Sequence, residues 1–237
     1  MAVQDDRREL EIIDLLGLTK PDEGRSGTDA THTFADGGKR ITIPIELKST
    51  TGETISTARD VGPDHIAKWR SRYWIIGFYD KGGNRLHSLL PLGPIEMEPW
   101  IKSIEGYILP DFAIASLVYN KLNNDDMIIL CEDKPKYGIE DAKRIHKRQW
   151  SSETYVSEMD LSDGYSQGKM TEIVRKRAQY LIERGATLNN PHITSSFLST
   201  YSDRRVDANQ LIKSSSERER FLRLVESDWK KSQAEKK

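Results

Sequence analysis

The sequence predicts an α/β protein, with a core of strands and helices to about residue 132 and a basic, mostly helical extension over 133–237. Three observations predict this. Two β-prone runs flank the turn Asp36-Gly37-Gly38-Lys39, an unbroken apolar run spans Tyr73–Tyr79, and apolar residues recur at helical spacing near both chain ends. At 237 residues the chain is long enough for a sizeable core, and five Trp, nine Tyr and five Phe supply large pieces for it, which excludes wholesale disorder. No stretch is long and apolar enough for a bilayer, and Met1–Lys20 interleaves acidic and basic residues, unlike a signal peptide. The lone Cys131 excludes a disulfide framework and a cysteine zinc cluster. A cytoplasmic protein is expected.

Asp5–Leu16 reads as a helix, with Leu10, Ile12, Ile13, Leu15 and Leu16 as its apolar stripe and Gly17 as its stop. Thr28–Ala35 and Arg40–Ser49 form a hairpin, the second strand carrying Pro44 as a mark of an edge or bulge. A Ser/Thr-rich loop over Thr50–Asp60 leads to a short helix, Pro63–Arg70, with proline in its first turn. Tyr73–Tyr79 is the clearest buried strand, followed by a turn at Lys81–Asn84 and a strand over Arg85–Leu90. After a proline-punctuated stretch, Asp111–Leu122 reads as helix and Met127–Cys131 as a buried strand. The remainder reads as helical: a basic segment around Lys143–Arg148, a helix over Lys169–Arg184 closed by Gly185, and a last helix opened by Ser216 and Glu219 as a capping box.

The charge is balanced overall, 36 Lys+Arg against 37 Asp+Glu, yet it is split along the chain. Tyr165–Lys237 holds 15 basic and 9 acidic residues, a net of +6, which leaves a net of −7 for Met1–Gly164. Such asymmetry suits a protein that meets a polyanion with one part and concentrates carboxylates in another, and it equally suits an uneven solvated surface.

Asp29 on the first hairpin strand faces Glu46-Leu47-Lys48 on the second. Residues two apart on a strand share a face, so Glu46 and Lys48 project together and the hairpin sets Asp29 beside them. Two converging carboxylates make a hard oxygen site suited to Mg²⁺, and a neighbouring lysine can orient a water or stabilise charge developing on a phosphate.

The pattern Gly27-Thr28-Asp29, sixteen residues, Glu46-Leu47-Lys48, then a helix and the strand Tyr73–Tyr79, resembles the PD-(D/E)xK nuclease superfamily, and within it the type II restriction endonucleases. The resemblance covers roughly residues 5–80; Thr28 stands where the motif's name has proline. It implies a restriction-endonuclease-like α/β fold, a mixed central sheet flanked by helices. Asp29 and Glu46 would be the metal-binding carboxylates, Lys48 the catalytic lysine and Mg²⁺ the cofactor. A protein of this kind hydrolyses both strands of a specific duplex DNA sequence as a homodimer, in a bacterial or archaeal cytoplasm. A companion DNA methyltransferase would act on the same site without binding this chain.

Glu9 lies at the centre of the apolar stripe of the first helix, next to Ile12, Ile13 and Leu16. A carboxylate there is either paired or liganded at the metal site, or else it sits in water at the helix start, stabilised by the dipole. Ser56, Thr57, Arg59 and Lys68, just beyond the catalytic strand, are candidate contacts to phosphates or bases. His65 is expected to pack against Trp69, one helical turn on. Lys143, Arg144, Lys147 and Arg175 in the extension are candidate DNA clamps, beside the plainer reading of a solvated helix face. Gly164–Met170 is one residue short of a phosphate-binding P-loop and lacks its hydroxyl residue. Two rivals share this core: a DNA-binding module without cleavage, and a nuclease acting in repair or on RNA.

Overall fold

A computed structural model describes residues 2–21 and 27–235. The helices are α1 (Ala2–Leu16), α2 (Pro63–Arg70), α3 (Pro94–Lys121), α4 (Asn124–Cys131), α5 (Ile139–Ile145), α6 (Ser152–Ser157), α7 (Gln167–Ala186), α8 (Ser195–Thr200), α9 (Ala208–Lys213) and α10 (Ser215–Ala234). The strands are β1 (Ala30–Asp36), β2 (Lys39–Thr50), β3 (Ile55–Ser56), β4 (Tyr73–Tyr79), β5 (Leu86–Leu92), β6 (His192–Ile193) and β7 (Val206–Asp207). The chain is α/β, as the sequence predicts. It divides into two compact units, Met1–Gly106 with Leu188–Lys237, and Tyr107–Thr187.

The first unit is built on a mixed five-stranded sheet in the order β1-β2-β4-β5-β7. Gly37 and Gly38, at φ +55° and +79°, supply the left-handed backbone that lets β1 turn directly into β2. The β2–β4 pair is parallel, because α2 carries the chain back between them, whereas the other pairs are antiparallel. Ile43, Ile45, Leu47, Tyr73, Ile75 and Leu89 fill one face of the sheet, packed with Ile12, Ile13 and Leu16 of α1, Leu211 of α9, and Phe221 and Val225 of α10. Each of these side chains contributes about 1.5–3 kcal/mol by leaving water. On the opposite face Trp69, Trp74 and Trp100 form a triangle with ring centroids 5.2–5.9 Å apart. At Gly77 a Cβ would stand 2.8 Å from Cδ1 of Ile12, so glycine is what allows α1 this close to β4.

The expected boundary near residue 132 is not where the chain divides. Residues 188–235 return to the sheet: β7 extends it beside β5, and α10 joins its core. A buried polar network fastens them. Tyr73 Oη donates to Oδ2 of Asp228 at 2.8 Å, the guanidinium of Arg204 pairs with the same carboxylate, and Arg204 Nε donates to the Pro91 carbonyl at 3.2 Å.

The second unit is helical, with Met127, Cys131, Tyr137, Tyr155, Tyr165, Met170 and Ile173 at its core. Here the expected strand Met127–Cys131 is the helix α4. Asn123 caps it, accepting from the amides of Asp125 and Asp126 while Asp126 accepts from the Asn123 amide. Met127 and Cys131, one turn apart, are buried, while Ile129 is 81% exposed. The proline-punctuated stretch is also helical, since α3 begins at Pro94 and runs through Pro99 and Pro110. The last helix opens two residues earlier than expected, with Ser214 as its cap accepting from the Glu217 amide. Among the described residues no helix is long and apolar enough to cross a membrane.

Candidate active site

The hairpin brings Asp29, Glu46 and Lys48 together. Asp29 immediately precedes β1, and its Oδ2 accepts from the Leu47 amide of β2 at 2.8 Å, which fixes the carboxylate against the strand carrying the other two. Lys48 Nζ stands 2.8 Å from Glu46 Oε1 and 3.8 Å from Asp29 Oδ2, and it donates to the Leu47 carbonyl at 3.0 Å. The ammonium therefore bridges both carboxylates.

Arg72, which the sequence reading passed over, completes the cluster. It is buried and ion-paired with Oε2 of Glu46, and it also donates to the Gly27 carbonyl at 2.9 Å and to Thr28 Oγ1 at 3.3 Å. Thr28, at the motif's proline position, thus helps to hold this arginine. Glu46 pairs with Trp74 in the parallel register, so Arg72, two residues earlier, projects to the same face. A lone arginine at the lip of an all-apolar strand next to an acidic strand was the available signal.

The electrostatics follow from three buried or half-buried carboxylates facing two cations. Burial pushes Glu46 up, but Lys48 and then Arg72 outweigh it and hold the carboxylate below its usual range. Asp29 is raised, first by burial and then by the charge of Glu46, against Lys48 and the Leu47 amide. Burial alone would depress Lys48, yet Glu46 and Asp29 raise it, so it is a firmly charged ammonium. Glu9 on α1 is pushed up to about 7, mainly by burial and next by Asp29. It is electrostatically part of the site, which favours the liganded-or-paired reading over the solvated one.

The carboxylates suit a hard cation chemically, being oxygen donors that burial, and next their mutual repulsion, hold above the usual range at Asp29 and Glu9. Among the described residues, however, no group of three or more His, Cys, Asp or Glu side chains is assembled to hold a metal ion. Asp29 and Glu46 remain as the pair that fits Mg²⁺, which commonly takes one or two carboxylates and substrate phosphates.

The other predicted contacts are scattered. Ser56 and Arg59 are exposed on the connection from β2 to α2, Thr57 Oγ1 donates to the Pro191 carbonyl at 2.7 Å, and Lys68 is half-buried on α2. His65 packs edge-on against Trp69, centroids 6.1 Å apart, as the sequence predicts. In the second unit Lys143 pairs with Glu140 at 2.8 Å, and Arg144 donates to the Leu130 carbonyl at 3.3 Å. Arg175 Nε donates to the Leu122 carbonyl at 2.7 Å, and Lys147 is exposed. Arg175 is thus occupied in fastening its own unit. Compared with known proteins, the chain matches no protein-family model and no curated protein sequence.

Proposed function

We propose that the protein is a Mg²⁺-dependent endonuclease of duplex DNA with a restriction-endonuclease-like core. One observation carries this reading: Lys48 Nζ lies 2.8 Å from Glu46 and 3.8 Å from Asp29 on adjacent strands of a mixed sheet. Asp29 and Glu46 would hold the metal, whose chemistry is to polarise the scissile phosphate and lower the pKa of a bound water. Asp29 is oriented for this by the Leu47 amide. Lys48 keeps its proton, so it acts as a donor that positions the attacking water and stabilises charge developing on the phosphate, rather than as a base. Arg72 orients Glu46 and keeps it ionised. Glu9, its pKa pushed up to about 7, would add negative charge beside Asp29 only as it ionises. Of the expected cationic contacts, Arg59 and Lys147 are exposed and would meet phosphates.

Cutting both strands takes two copies of the site, hence a homodimer facing a two-fold symmetric target, with a companion methyltransferase protecting that target. Incubating the protein and Mg²⁺ with duplex DNA, branched DNA and RNA, followed by end mapping, tests the assignment. Duplex cleavage leaving 5′-phosphate and 3′-hydroxyl ends is expected; cutting confined to branched DNA or RNA moves the protein to a repair or RNA role. The pairing of both Glu46 oxygens with cations favours one further reading, a DNA-binding module of this fold without cleavage.

A further inference from the structure

A cavity of about 380 Å³ opens in the first unit beyond the far end of β4, lined by Phe78, Ser88, Ser195, Ser202, Arg205 and Glu53 among others. Arg205 lies flat over the Phe78 ring, 3.4 Å from its centroid, which fixes the plane of the guanidinium. Among the described residues no carboxylate pairs with Arg205, and it makes no side-chain hydrogen bond; burial is the sole influence on its pKa, and lowers it. Ser88 is 9% exposed, and its hydroxyl has no partner among the described residues. The hydroxyls of Ser195 and Ser202, on the same walls, are likewise unengaged there. Arg205, Ser195 and Ser202 are exposed and Ser88 is buried, so a guanidinium held over Phe78 and three hydroxyls without a protein partner are open to an acceptor entering the cavity.

The register places this cavity relative to the carboxylates. Lys48 pairs with Ile76, Thr50 with Phe78 and Phe78 with Ser88, so Glu46, Lys48, Phe78 and Ser88 share one face of the sheet. Phe78 stands two residues beyond the row of Lys48, about 7 Å along the strand.

We propose that this cavity is a phosphate subsite and, resting on the nuclease reading, that it holds a backbone phosphate near the scissile one. The planar fork of arginine matches two phosphate oxygens, and serine hydroxyls supply the remaining donors. Glu53 is the one acid in the lining and lies in the exposed loop after β2.

Two titrations test it, using wild type, Arg205→Ala and Ser88→Ala. Inorganic phosphate is titrated with ³¹P NMR line width as the readout, and a fluorescent duplex is titrated by anisotropy in metal-free, low-salt buffer. Arg205→Ala is expected to weaken phosphate binding about tenfold. Ser88→Ala, which removes a hydroxyl with no partner to lose, is expected to weaken it about fivefold with an unchanged melting temperature. A parallel fall in duplex affinity supports the backbone phosphate as the source. Unchanged duplex affinity with phosphate binding lost overturns that source and assigns the site to free phosphate. Wild type that ignores phosphate, or variants that bind it equally well, overturns the subsite. Phosphate held by a protein that cuts no nucleic acid leaves the subsite standing and removes the nuclease reading alone.

Discussion

Arg72 is ion-paired with Glu46 in the interior of the sheet, the two side chains 5% and 9% exposed. Glu46 is thus ionised, aimed and shared between the buried Arg72 and Lys48. Removing one partner of a buried pair strands the other charge, so Arg72→Ala is expected to destabilise the protein by about 3–5 kcal/mol. Urea unfolding measures this. A loss below about 1 kcal/mol, the range of solvent-exposed pairs, contradicts the buried geometry.

Glu9 makes the stability of the metal-free protein depend on pH. Its folded pKa of about 7 lies above the ordinary 4.5, so between those values the folded state binds more protons than the unfolded one. Stability contributed by this group is complete below about pH 4.5 and falls as pH rises towards 7. Glu9→Gln is expected to flatten that decline in a series of melts from pH 4.5 to 7.5. A slope identical to wild type places the residue in water.

Mg²⁺ bound by Asp29 and Glu46 in the folded state is expected to raise the melting temperature. At a hundredfold excess over Kd the gain is about 2.7 kcal/mol. Asp29→Asn should abolish the shift, and a shift that survives this change locates the cation elsewhere.

Gly77→Ala puts a methyl against Ile12 Cδ1 at 2.8 Å, with Tyr79 and Leu86 also within 3.3 Å. Such overpacking is expected to cost about 1–3 kcal/mol. Ile12→Val removes the crowding atom, so the double variant should be more stable than the sum of the single losses. Additive losses in a double-mutant cycle contradict the close approach.

The half of the fold that holds the site was legible because its signals are local. Gly37-Gly38 specifies the hairpin, Pro63 opens α2, and the apolar run 73–79 is a strand buried along its whole length. Asp29, Glu46 and Lys48 follow from two-residue alternation on that hairpin, and Glu9 from the helical wheel. Met127–Cys131 misled because a short apolar run is compatible with either structure; the Asn123–Asp126 cap was the overlooked discriminator. Pro99 and Pro110 masked α3: proline disfavours a helix interior, yet both sit exposed inside this one. The return of residues 188–235 depends on a two-residue strand and on the Tyr73–Asp228–Arg204 network, which are long-range contacts with no periodic trace. Arg72 was missed for the same reason: its partner is 26 positions away.

Lys48 carries the central claim, and one paired measurement tests it most directly. Wild type and Lys48→Ala are each incubated with Mg²⁺ and a long mixed-sequence duplex, with gel-shift binding recorded alongside. Wild type is expected to cut the DNA into discrete fragments. Lys48→Ala is expected to lose at least about a hundredfold in cleavage rate while still shifting the duplex. DNA left intact by wild type that nevertheless shifts it, or full cleavage by Lys48→Ala, contradicts the assignment.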